Sequence, residues 1–252
     1  MIPILLLHNG GLHKTIRFKE ARYIGDPINT IRIFNDLEVD EIILLDIDAS
    51  KVGRGPNFDL IKEITSEAFM PVGYGGGIRE LADAEPIFRC GVEKIIINRR
   101  FIENPSFIKE CAVQFGCQSI VVGLDYIIDR NGLRWYFDHV AHRESELSVM
   151  GAVKLAEDLG AGEVFLNCVD NDGVMGGVDV RFIEEVARNV NIPIIACGGV
   201  GGLNHIREAY RAGASGVAAG SFFIFRGRKN GVLISYPSQS VLDDLLTKTN
   251  IL

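Results

Sequence analysis

The chain is poor in the features that mark several functional classes. Its five cysteines (Cys90, Cys111, Cys117, Cys168 and Cys197) are odd in number, and no two stand at C-x-x-C spacing. A disulfide framework and a thiolate zinc site are therefore not expected, and reduced thiols in a cytoplasmic protein are the simplest reading. There is no basic leader followed by an apolar segment, and no apolar run of about 18 residues, so neither secretion nor a membrane span is expected. Positive charge is in deficit: 26 Lys and Arg against 33 Asp and Glu leave a net charge of −7. Nucleic acid and acidic membrane surfaces are poor partners for such a chain. No His, Cys, Asp and Glu cluster has metal-ligand spacing, so neither a metal nor an organic cofactor is expected.

What is present is a rhythm. Short apolar runs occupy residues 2–7, 41–47, 70–75, 93–98, 118–125, 162–167, 192–198 and 215–221, and most are separated by amphipathic, helix-length segments. The runs are continuous rather than alternating, which implies burial on both faces, as in a parallel sheet. Eight βα units in 252 residues predict one TIM (β/α)8 barrel spanning 1–252. An open doubly wound sheet is the alternative. It normally uses fewer strands and a glycine fingerprint after the first one, and none follows residues 2–7.

The rhythm also repeats at a larger scale. Gly76-Gly77, a helix, Arg89-Cys90-Gly91, EKIIIN and Arg99 are echoed by Gly198-Gly199, a helix, Arg211-Ala212-Gly213, SGVAAG and Ser221. This predicts a twofold repeat of half-barrels, about 1–117 and 118–252. Residues 126–140 break the pattern and read as a hairpin inserted after strand 5, turning at Asn131-Gly132. Barrel active sites lie at the C-terminal ends of the strands. The polar residues expected there are Lys14, Asp46, Asp48, Asn98, Arg99, Asp125, Asn167, Asp170, Asp172 and Ser221. The carboxylates suit acid–base work or, equally, loop capping. Each glycine pair ends a strand and opens a helix, which suits close approach of an anion such as phosphate. Two such sockets suit a small molecule with a phosphate at each end, although tight βα turns also use glycine.

Together, GDPIN, LDIDAS, GGGI, ENPSFI, QFGCQSIVVGLD, GAGEVFLNCVDNDG and PIIACGGVGG resemble the cyclase subunit of imidazole glycerol phosphate synthase along nearly the whole chain. The resemblance implies a barrel that takes ammonia from a glutaminase docked at its bottom and uses it at its top on a bisphosphorylated substrate. It places phosphate contacts on Gly77, Asn98 and Arg99 in one half, and on Gly173, Gly199, Gly220 and Ser221 in the other. The strand 5 catalytic aspartate falls on Asp125, the lysine after strand 1 on Lys14, and the strand 6 polar positions on Asn167 and Asp172. A charged ring closing the ammonia entrance falls on Glu41, Lys94 and Glu163, while its arginine has no counterpart. Glu93 is expected at the subunit interface. The alternative for these charges is ordinary surface residues flanking strands.

The departures from the family pattern are specific. Leu6 stands where the family has its other catalytic aspartate, and leucine cannot exchange a proton. Arg99 and Asn167 replace threonines. With IPILLL, GDPINTIRIFN and VLISYP, these changes resemble a divergent paralogue from surface-polysaccharide gene clusters. That resemblance implies a retained glutaminase and a further enzyme that installs an acetamidino group on a sugar. The readings left open are this nitrogen-supplying paralogue, a working cyclase of histidine biosynthesis, and a non-catalytic scaffold or ammonia conduit.

Overall fold

The computed structural model describes residues 1–141, 143–227 and 230–247. Its centre is a closed sheet of eight parallel strands: β1 (Ile2–His8), β2 (Ile42–Asp46), β3 (Val72–Gly75), β4 (Lys94–Ile97), β5 (Ile120–Ile128), β6 (Glu163–Cys168), β7 (Ile194–Cys197) and β8 (Gly216–Ala219). Each pairs with the next, and Ile2 and Pro3 of β1 pair with Ala218 and Ala219 of β8 to close the ring. Helices alternate with the strands, so the fold is the expected TIM barrel.

The apolar residues of the strands divide by parity. One set, with Ile4, Ile43, Ile96, Val121, Phe165 and Ile195 among its members, packs inside the barrel. The other set faces out and is covered by the helices in a single larger core. Continuous apolar runs are what a sheet buried on both faces requires. Local chemistry starts several helices. The Asp26 carboxylate caps Pro27–Asp36 by accepting from the Asn29 N–H at 2.9 Å, with proline at the first helical position. Asn57 and Asp179 do the same for Phe58–Glu67 and Val180–Ala187. Each cap contributes about 1 kcal/mol.

Two hairpins are added on the upper face. The first follows β1 directly: Gly11–Ile16 runs back along β1 and pairs with Lys19–Gly25. Leu12, fully buried opposite Leu7, holds the returning strand down. The second hairpin extends β5, with Ile128 opposite Arg134, and Arg143–Ser148 adds a third strand. It is fastened to the barrel by a bidentate, largely buried pair of Arg134 with Asp179, at 2.8 and 2.9 Å.

The paired glycines occupy matching places. Gly76, Gly77, Gly198 and Gly199 all have positive φ, and the helices Leu81–Arg89 and Leu203–Arg211 follow at one constant offset. At Gly199 the requirement is also steric, because a Cβ there would lie 2.0 Å from the carbonyl oxygen of Gly177. Gly132, at the tip of the second hairpin, has φ +80° but open space around it. Gly132→Ala should therefore lower unfolding stability by about 1–2 kcal/mol, the cost of the left-handed conformation alone. Gly199→Ala should cost at least about 3 kcal/mol. Equal losses in urea titrations of the two variants would contradict the close approach of Gly177.

Candidate active site at the mouth of the barrel

Side chains of a strand alternate, so every second residue points into the barrel. Ile4 and Leu6 of β1, Gly123 and Asp125 of β5, and Phe165 and Asn167 of β6 all line one cavity at the C-terminal ends of the strands. Leu6 thus lies on the inward face at the mouth. Asp125 is buried, and both its oxygens are engaged. Oδ2 accepts from Asn98 Nδ2 at 2.7 Å, and Oδ1 accepts from Asn167 Nδ2 at 2.9 Å. Tyr136, from the inserted hairpin, donates its hydroxyl to Asn98 Oδ1 at 2.9 Å. That bond fixes which way the Asn98 amide faces. Burial, together with the nearby Asp125, pushes the Tyr136 phenol far above its ordinary range, so it stays a donor. The Asn167 Oδ1 is buried without a hydrogen-bond partner.

His139 completes this group. It lines the same cavity, and its Nδ1 lies 3.4 Å from Asp125 Oδ2. Sequence reading missed both His139 and Tyr136. The hairpin was legible, but its fold back over the mouth was not.

Lys14 reaches the cavity from the first hairpin and is almost fully buried. It lies so close over Gly220 that a Cβ there would overlap Nζ, at 1.6 Å. Burial pulls its pKa below the usual lysine value, while Asp172 opposes the shift. Among the described residues, its ammonium makes no ion pair or hydrogen bond. Asp172 shows the converse effect. Burial raises its pKa from 3.8 to about 6, against the pull of Lys14.

In the first half of the barrel, Gly77, Asn98 and Arg99 all line the cavity, joined by Lys51 and Arg100. Arg99 is paired with Glu103 at 2.7 Å. In the second half, Gly220 lines the cavity, whereas Gly173, Gly199 and Ser221 fall outside its lining. Gly177 donates its N–H to the Gly199 carbonyl at 2.8 Å, so the loop after β6 covers that glycine. Several expected mouth carboxylates have structural partners. Asp46 pairs with Arg54 at 2.8 Å and accepts the N–H groups of Asp48 and Ala49. Asp48 accepts from His8, and Asp170 accepts from the Ile128 N–H. Among the described residues no His, Cys, Asp and Glu group could hold a metal ion.

At the opposite end, Lys94 bridges two carboxylates, with Nζ 2.9 Å from Glu163 Oε1 and 3.4 Å from Glu41 Oε2. Burial raises the Glu41 pKa against the pull of Lys94. Burial lowers that of Lys94, but its two carboxylates outweigh the effect and leave it raised. The apolar interior set fills the space between this trio and the upper cavity.

Asp172 yields a stability test. Its folded-state pKa exceeds the unfolded value, so the stabilisation is fully present below about pH 4 and is lost as pH rises through about 6. Asp172→Asn has no such ionisation. Its unfolding free energy relative to wild type should rise by about 1–3 kcal/mol between pH 4 and 7. Chemical denaturation across that range checks this, and a pH-independent difference would contradict it.

A model of the family described as "Histidine biosynthesis protein" matches residues 1–229. A Pseudomonas aeruginosa protein provisionally named imidazole glycerol phosphate synthase subunit hisF2 is 47% identical over 244 residues, covering 96% of this chain and 97% of that one. A Leptospira borgpetersenii protein, provisionally named subunit HisF, is 44% identical over 94% of both chains. The imidazole glycerol phosphate synthase subunit HisF of Corynebacterium urealyticum is 34% identical over 89% of this chain and 90% of its own length. An eight-stranded closed barrel matched over these lengths makes the chain a member of the histidine biosynthesis protein family, among its imidazole glycerol phosphate synthase HisF subunits.

Proposed function

We propose that this barrel is an enzyme subunit that receives ammonia from a glutaminase through its lower charged ring and delivers it, at its mouth, to a phosphorylated small molecule. Its own imidazole glycerol phosphate cyclase activity is weak. Leu6 carries this reading: it faces the cavity where the family pattern calls for a carboxylate. Asp125 and Lys14 are the retained catalytic groups. Gly77, Asn98, Arg99, Asn167, Asp172 and Gly220 are the binding groups that line the cavity, and Gly173, Gly199 and Ser221, outside that lining, are the further phosphate contacts of the second half. Glu41, Lys94 and Glu163 form the ammonia entrance, and the apolar interior favours uncharged ammonia over ammonium or other ions.

The acceptor belongs to the assembly of an acetamidino group on a sugar for surface polysaccharide, in concert with a further sugar-modifying enzyme. Supporting this, relatives at 47% and 43% identity carry the numbered names hisF2 and hisF3, while the HisF subunit of Corynebacterium urealyticum stands at 34%. A pure conduit would not require the polar cavity. The convergence of Asp125, Lys14 and Asp172 on one cavity favours a working cyclase as the second reading.

With saturating ammonium and the family's bisphosphorylated ribulosyl substrate, turnover should be at least about 100-fold below that of a relative with aspartate at the Leu6 position. Comparable turnover by the two would restore the cyclase reading. With its glutaminase bound, Lys94→Met should lose most glutamine-driven turnover while keeping ammonium-driven turnover. Parallel loss of both, or of neither, would count against an entrance at this ring.

A further inference from the structure

The upper cavity lacks a second carboxylate at Leu6, yet the added hairpin brings a different titratable side chain into it. We propose that His139, positioned by Asp125, is the second proton-transfer group of this cavity. The inference rests on the reading that chemistry takes place at the mouth, and it deepens that reading by naming the group that moves the proton.

Three observations carry it. His139 Nδ1 lies 3.4 Å from Asp125 Oδ2, within ion-pair distance, and is buried with no hydrogen bond among the described residues. A carboxylate only accepts hydrogen bonds, so the neutral ring facing it presents Nδ1–H and leaves Nε2 as the basic nitrogen. Second, both oxygens of Asp125 already accept from the amides of Asn98 and Asn167. A proton arriving on Asp125 would remove the charge that strengthens both of those bonds, whereas a proton arriving on His139 Nε2 leaves them charge-assisted. Asp125, beside its own catalytic role, is therefore arranged to orient and stabilise an imidazolium on His139. Third, Asn167 is 7% exposed, lines the cavity, and keeps its Oδ1 unpartnered. It offers an acceptor for an N–H of ammonia arriving along the apolar interior, beside the base.

The step balances within these groups. The ammonia lone pair forms a bond to a carbonyl carbon, and the π electrons of the carbonyl move to its oxygen. One N–H proton passes to His139 Nε2 and is returned to that oxygen, giving a neutral carbinolamine. No oxidant, metal or further reactant is needed.

The test uses the full chain with saturating ammonium and the bisphosphorylated ribulosyl substrate, without glutaminase. The wild-type protein should turn over slowly but measurably. His139→Ala and His139→Asn should each lower kcat about 100-fold or more, with KM changed by less than about threefold, as expected for a group acting in the transition state. Added imidazole should restore His139→Ala at least about tenfold, within the share that a proton-transfer group contributes. Imidazole ¹⁵N spectra should show His139 as the Nδ1–H tautomer in wild type and not in Asp125→Asn. Any of four results overturns the proposal: undetectable wild-type turnover, undiminished turnover in the variants, no rescue, or an unchanged tautomer. None of these readouts passes through the glutaminase or the lower ring, so failure of the ammonia relay is distinguishable from failure here.

Discussion

One geometric constraint governs the rest of the molecule: in a closed parallel sheet, every second side chain must share the interior. The pairing of Ile2 with Ala218 closes the ring, and from there the parity of each strand decides its interior residues. Glu41, Ile43 and Leu45 follow one another inward on β2. Lys94 and Ile96 do so on β4, and Glu163, Phe165 and Asn167 on β6. Charged and polar groups can therefore occupy only the two ends, because a charge buried midway would lack both water and a partner. The lower end meets this by sharing Lys94 between two carboxylates. The upper end meets it with a network of amides around Asp125.

Much of this was legible in the residues because it depends on short-range patterns. All eight strands lie where the continuous apolar runs place them, with ends shifted by at most three residues. Glycine pairs with positive φ were foreseeable, since they end strands and open helices. The hairpin at Gly11–Ile16 was not, because GLHKTI is short and partly polar and its hold is a cross-strand contact, Leu7 with Leu12. The cavity was half legible. Lys14, Asn98, Asp125, Asn167 and Asp172 follow from strand ends, but His139 and Tyr136 arrive on an insertion whose path over the mouth is set by Arg134 and Asp179. Such a link joins residues far apart in sequence, and no local periodicity announces it.

The same distinction separates groups that hold the structure from groups left available. Asp46, Asp48 and Asp170 each accept from a backbone N–H or an adjacent side chain; their task is to shape loops. Among the described residues, Asn167 Oδ1 is a buried atom with no such partner, and Lys14, a buried residue, shows no ion pair or hydrogen bond. Burying a polar atom without a partner costs about 1–3 kcal/mol. A fold tolerates that cost most readily where a ligand is to supply the missing bond, and both groups line one cavity.

Leu6 has a physical logic in this setting. Asp172 already feels the Asp125 carboxylate as well as the Lys14 ammonium, and burial has raised its pKa to about 6. A third carboxylate at position 6, on the same inward face, would increase like-charge repulsion and raise the affinity of the cluster for protons. Leucine removes that load and extends the apolar interior, where it packs with Leu45 against the barrel's inner set. The mouth can then be apolar on the β1 side and polar on the β5–β6 side. On the relay proposed above, ammonia leaving the interior would meet its first hydrogen-bonding groups beside Asp125, which is where a proton-transfer group has to stand.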